Sequence, residues 1–190
     1  PGVIAMGILF TAIFSGIELI WDRQFGFLKE TLVAPVSRFS IMLGRTLGGA
    51  TIATTQGIFL FIIAYLVGFR PPVLLFFPAL IFMFLIALLF TALGTAIACR
   101  LNDMQAFPII MNFLVMPMFF LSGALFPLEQ APRALQIVAA FDPMAYGVDG
   151  LRVVFSGSGH FGLLADTLVL IGVAFALIWL GSALFKRIQV

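Results

Sequence analysis

The chain has 190 residues, 63% of them apolar and 9% charged, where a soluble domain carries roughly 45–50% and about 25%. A water-soluble globule of this size cannot hide that much apolar surface, and a net charge of +2 is too sparse for a nucleic-acid-binding face. Cys99 is the only cysteine and His160 the only histidine, so an intrachain disulfide framework and a His-rich metal cluster are both out of reach.

The mean hydropathy of +1.21 agrees: this is a membrane protein. Asp, Glu, Lys and Arg are absent from 1–17, 46–69, 71–99, 104–128 and 167–185. A helix crossing the ~30 Å hydrocarbon core needs about 20 residues. The expected architecture is therefore an all-α polytopic membrane protein, one transmembrane domain over 1–190, with spans near 1–20, 46–69, 73–99, 106–126 and 163–185. Strict alternation is missing, which argues against a β-barrel. Pro1-Gly2 leads straight into apolar sequence without the basic region or cleavage site of a signal peptide. A chain lacking its N-terminal part is the simplest expectation, with one further span there completing six.

After the first span, Trp21–Arg45 carries Phe25, Leu28, Leu32, Val33 and Val36 at helical spacing, opposite Arg23, Lys29 and Glu30. Asp22 is a plausible N-cap, and Pro35 ends a regular helix. An amphipathic helix is expected from about Asp22 to Val33, followed by a new helix capped by Ser37. Two roles stay open for it: lying flat at the lipid interface or docking a soluble partner.

Within the spans, Thr51, Thr54, Thr55 and Gln56 cluster in one, Thr91 and Thr95 in the next, and Asn112 in the fourth. The threonine hydroxyls are expected to bond backbone carbonyls one turn back, with a lining of a transport path as the alternative. Thr51, Thr55, Asn112 and Pro117 are the candidates for a path or a dimer interface. Pro78, Pro108 and Pro117 each predict a kink unless neighbours compensate. Gly44-x-x-x-Gly48 and Gly94-x-x-x-Ala98 offer faces for close helix approach, more readily within the chain than between copies.

The segment 127–160 is too polar to span. Pro132 and the Ala-rich run after it predict a short helix to about Phe141. Asp142-Pro143 then reads as an N-cap with Pro at the first helical position, opening a second helix with Tyr146, Asp149 and Arg152. Asp149 and Arg152 are three apart and predict a pair on one face. The two helices form a hairpin on or dipping into the membrane.

Basic residues set the orientation. Arg23, Lys29, Arg38, Arg45, Arg100, Lys186 and Arg187 fall on one side, against Arg70, Arg133 and Arg152 on the other. Seven against three places the first group and the C-terminus in the cytoplasm and Pro1 outside; the expected location is the plasma (inner) membrane.

Three blocks in order resemble the permease subunits of ABC-2 type exporters, the group with daunorubicin-resistance and nodulation-type permeases. They are Asp22–Glu30 with Leu32–Arg38, then Phe120–Leu128 (FLSGALFPL), then Phe141–Arg152 (FDPMAYGVDGLR). The resemblance covers essentially the whole chain. It implies a six-span permease whose 22–38 segment docks on an ATPase subunit, with Arg23, Phe25, Phe27, Leu28, Lys29, Glu30, Leu32, Pro35 and Arg38 as coupling residues. It also implies a second permease chain, as homo- or heterodimer, with the Asn112 span near the dimer axis. The outer hairpin, with Asp142, Pro143, Tyr146, Asp149 and Arg152, would cover the exit side. Many relatives carry Asn where this chain has Asp142, and both residues cap helices well.

Energy must come from somewhere. Only Lys29 and Lys186 are lysines, and neither completes the G-x-x-x-x-G-K-[ST] of a P-loop. Glu18 is the one ionisable group expected within a span, and it sits beside Trp21 near an interface, so a buried relay for ion coupling is not expected. No span is expected to hold an aspartate, and Ser122-Gly123 lacks the context of an intramembrane serine protease. No catalytic residue, cofactor or metal is therefore expected in this chain, with ATP and Mg in the partner ATPase. The expected function is export of a lipophilic or drug-like molecule, a glycolipid or a polysaccharide by alternating access. An ion-coupled carrier and a non-transporting scaffold are the alternatives.

Overall fold

A computed structural model describes residues 1–27 and 35–185, with Glu129 by its backbone alone. The described helices are α1 (Gly2–Phe14), α2 (Ile17–Gln24), α3 (Arg38–Val67), α4 (Phe76–Ala98), α5 (Ala106–Leu121), α6 (Arg133–Ala139), α7 (Pro143–Ser156) and α8 (Leu163–Phe185). Short 3-10 turns at Val73–Leu75 and Leu128–Gln130 lead into α4 and α6. There is no strand among the described residues, so the protein is all-α.

Four stretches are long and apolar enough to cross a membrane: Gly2–Gln24 (α1 with α2), α3, Val73–Ala98 and α8. The fourth expected span is shorter than the sequence suggests. α5 has 16 residues, about 24 Å at 1.5 Å per residue, and the chain leaves it at Ser122-Gly123, where Gly123 takes φ +76°. The apolar run to Leu128 thus supplies a turn and not a longer helix.

α4 is apolar on all sides, and a helix of that kind is buried. It packs against α1, α2, α3, α7 and α8 and contributes Phe82, Ile86, Leu89 and Phe90 to the core. The backbones of the first span and α4 come close where that span breaks at Ser15-Gly16. A Cβ at Gly94 would stand 2.4 Å from the Ile13 carbonyl oxygen, and one at Gly16 2.5 Å from the Gly94 carbonyl carbon. Gly94 is therefore a packing glycine within the chain. Gly44 and Gly48 face open space, so that pair does not serve intrachain packing as expected.

The proline expectations divide. Pro78 and Pro108 are the third residues of α4 and α5, first-turn positions whose N–H has no intrahelical partner to lose. They open helices and do not kink them. Only Pro117 lies inside α5, where its ring displaces the bond to the carbonyl four residues back.

The helix expected from Asp22 to Val33 also differs. α2 already runs from Ile17, so Asp22 sits inside it and is no N-cap. It stops at Phe25, because Gly26 takes the left-handed φ of +84°. The apolar run of the span simply carries the helix past Asp22. Residues 28–34 lie outside the described residues, and with them Leu28, Lys29, Glu30 and Leu32. Ser37 caps α3 as expected, its hydroxyl accepting from the Ser40 N–H at 3.1 Å.

Candidate functional site

Two hydrogen-bonded clusters of polar side chains stand out, one around Arg23 and one at the hairpin. At the basic end, α2 is strapped to its neighbours. Arg23 donates to the Cys99 carbonyl at 3.1 Å, to the Leu101 carbonyl at 3.0 Å and to the Asn102 side chain. Those carbonyls close the C-terminal end of α4, where helix carbonyls lack intrahelical donors and a cation is favoured. Gln24 adds a bond to the Asn102 carbonyl at 2.9 Å, and Asp22 pairs with Arg45 of α3. Arg23 is thus a strut that ties α2 to the end of α4. Arg38 likewise turns in, its guanidinium 6.0 Å from the Phe185 ring at the end of α8. Phe25 and Phe27 project instead, 68% and 60% exposed, and Pro35 is exposed across the gap.

One turn deeper, the α1–α2 break leaves a cavity of about 160 Å³ lined by Ser15, Glu18, Arg45, Gly49 and Thr95. Thr51, Thr54 and Thr55 line a separate, open groove of about 460 Å³ between α3 and α4. Thr51, Thr54, Thr55 and Thr95 each donate to the carbonyl four residues back, at 2.7–2.9 Å. Such back-bonding satisfies a hydroxyl inside a helix. Thr51 and Thr55 thus share one wall of that groove, with hydroxyls already bonded to their own helix. Asn112 and Pro117 both lie on the exposed side of α5.

The hairpin end is held by hydrogen bonds in which each expected residue has a separate partner. Asp142 caps α7, accepting from the Met144 N–H at 2.9 Å, with Pro143 at the first helical position. Burial pushes its carboxyl up to about 7, against the lowering effect of that hydrogen bond. Tyr146 donates to the Ala140 carbonyl at 2.8 Å and stacks on Phe161 with centroids 4.4 Å apart. Burial first, and the charge of Asp166 second, raise its hydroxyl above the ordinary tyrosine range.

The expected Asp149–Arg152 pair does not form. Asp149 accepts from the backbone N–H groups of His160 and Phe161 at 2.8–2.9 Å and fixes the turn into α8. Arg152 donates to the Gly123 carbonyl at 2.7 Å and ties α7 to the end of α5. Both find backbone groups distant in sequence, and Asp149, only 2% exposed, has its carboxylate satisfied there by two backbone N–H groups.

Asp166 is the residue that sequence reasoning missed. It lies in the first turn of α8, inside a span candidate, is 0% exposed, and neither carboxylate oxygen has a hydrogen-bond partner. The expectation of spans without aspartate is thereby corrected. The signal was available, since Gly162 and the helical pattern from Leu163 put residue 166 within the helix.

The ABC-2 type transporter family model matches residues 1–156. The chain belongs to the ABC-2 type transporter family. It is 30% identical over 160 residues to a putative transport permease, ycf38, of Cyanophora paradoxa, covering 83% of this chain and 55% of that protein. It is 30% identical over 158 residues to nodulation protein J of Rhizobium leguminosarum bv. viciae (82% and 61%). A third relative is the probable multidrug ABC transporter permease YbhR of Escherichia coli, 26% identical over 162 residues (82% and 42%). The chain spans about half the length of the curated relatives it matches. As an ABC-2 family member with four apolar helices of spanning length, it is a multi-pass membrane protein of the permease class.

Proposed function

We propose that this chain is the membrane part of an exporter permease driven by a separate ATPase subunit, which would hold the ATP and Mg. The observation that carries the proposal is the Phe25-Gly26 turn, whose exposed Phe25 projects from a base braced to α4 by Arg23 and to α3 by the Asp22–Arg45 pair. A push on that turn reaches two spans through short hydrogen bonds, as a lever between an ATPase and a pathway requires. The turn faces the cytoplasm on the charge asymmetry, and two permease chains would alternate access for a lipophilic or drug-like molecule, a glycolipid or a polysaccharide. Phe25→Glu together with Val36→Glu should abolish co-purification with the ATPase while leaving the melting temperature of the spans unchanged. Undiminished co-purification would overturn the docking role.

A second reading rests on Asp166, since a carboxyl buried within a span is a frequent mark of ion coupling. An ion-coupled carrier would move substrate down an imposed proton or sodium gradient in vesicles without ATPase, and Asp166→Asn would stop it. Flux that needs ATP and ignores the gradient decides for the exporter.

A further inference from the structure

Two open grooves follow one another along the seam between α3 and α4. The first, of about 460 Å³, sets Thr55 and Ile58 of α3 against Ile81 and Phe84 of α4. The second, of about 350 Å³, lies nearer the α3–α4 turn, with Ile62 and Tyr65 on one side and Val73 and Phe76 on the other. From Thr51 to Leu66 this trough follows α3 for about 22 Å at 1.5 Å per residue. One leaflet of a ~30 Å hydrocarbon core takes about half that core, so the trough is long enough for an acyl chain. Ile62 and Ile81 are 55% and 59% exposed, and α3 is the least covered of the four helices of spanning length.

The turn at the head of the trough has a different chemistry. Gly68 ends α3 with φ +121°, and an exposed Arg70 precedes Pro71 and Pro72. Pro71 is buried and lines the trough. The two rings stiffen the turn, and a residue before proline is held extended, so Arg70 stands on a fixed backbone beside the trough. Neither its guanidinium nor the Tyr65 hydroxyl makes a hydrogen bond or ion pair among the described residues. Arginine keeps its charge, and its fork of donors matches a phosphate. A tyrosine at the membrane–water boundary presents a ring to the chains and a donor to the headgroups. Snorkelling alone would bring an arginine to that boundary but requires no groove beneath it.

We propose that the α3–α4 seam is a binding site for an anionic phospholipid, its phosphate held by Arg70 and Tyr65 and an acyl chain lying in the trough. The unpartnered cation selects the headgroup charge, and the apolar walls take the chain. A lipid seated there completes the cover of α3, which the chain's own helices leave open. The site needs only the membrane-spanning fold and stands or falls apart from the exporter reading.

The test titrates the full-length protein, delipidated in detergent, with phosphatidylglycerol and with phosphatidylcholine of the same palmitoyl-oleoyl chains, read by native mass spectrometry. Wild type should bind phosphatidylglycerol about fivefold tighter, the worth of one arginine beside an anionic lipid surface. Arg70→Gln should bring phosphatidylglycerol down to the phosphatidylcholine level, and Arg70→Lys should keep most of the preference. Ile62→Trp with Ile81→Trp fills the trough and should weaken both lipids alike. Glycerophosphoglycerol, the headgroup without chains, should displace neither. In native membranes, phosphatidylglycerol with a diazirine in its acyl chain should label 51–66 and 73–85, a readout that holds even if the tryptophan pair fails to fold. No preference in wild type, a preference that survives Arg70→Gln, or displacement by the chainless headgroup would each overturn the site. Labelling confined to other helices would overturn it too, since another protein segment would then cover the seam.

Discussion

Asp142 shows how one side chain serves two demands that pull its proton in opposite directions. Its hydrogen bond to Met144 favours the carboxylate, but burial wins and raises the group from 3.8 to about 7. The folded hairpin therefore binds a proton between those values that the unfolded chain releases. The stabilisation is fully present below about pH 4 and is lost as pH rises through about 7. Amide hydrogen exchange across 143–156, corrected for intrinsic rates, should show weaker protection at pH 8 than at pH 5. Asp142→Asn should flatten that difference and raise protection at pH 8. A wild-type profile that strengthens with pH would contradict the burial argument. The Asp142-Pro143 cap was legible in the sequence because capping is local, three or four residues deciding it. The partners of Asp149, Arg152 and Arg23 were not, since Gly123 and Cys99 are brought to them only by the fold.

At the scale of elements, the same division appears in the glycines and prolines. Charge-free runs locate the spans, because a charge inside lipid is costly at any position. Whether a proline kinks or opens a helix depends on where the helix begins to within a residue. Pro78 and Pro108 accordingly read as kinks and turn out to be first-turn residues. Glycine pairs look alike in sequence yet differ once packed. Gly94→Ala would put a methyl group 2.4 Å from the Ile13 carbonyl oxygen, and Gly48→Ala would meet nothing within 4 Å. The first should destabilise the α1–α4 crossing by about 1–3 kcal/mol, the cost of overpacking. The second should be neutral or stabilising by up to ~1 kcal/mol, as expected when alanine replaces glycine in an open helix position. Thermal unfolding of the two variants in one detergent checks the contrast, and similar melting temperatures would show that the crossing is looser than its geometry.

For the whole molecule, α5 presents a long face that the rest of the chain leaves uncovered. It touches the bundle mainly at α1, α6 and α7, and Ile109, Asn112, Phe113, Met116 and Phe120 form one exposed stripe along it. Apolar members of that stripe are at home in lipid, but Asn112 is not. Its carboxamide makes no hydrogen bond among the described residues, and polar groups within the bilayer are satisfied by neighbouring helices. A carboxamide both donates and accepts, so two copies related by a two-fold axis can satisfy each other there. Phe113 belongs both to this stripe and to the groove beside Asp142. In a Cys99→Ala background, Asn112→Cys should give an oxidant-dependent, disulfide-linked dimer of the ATPase-bound complex. Leu168→Cys, equally exposed in kind but on α8, should not. Asn112→Leu should then weaken the dimer by about 0.5–2 kcal/mol, the range for a hydrogen bond between membrane helices. Crosslinking through residue 168 and not 112 would move the interface to α8 and leave the α5 stripe to lipid.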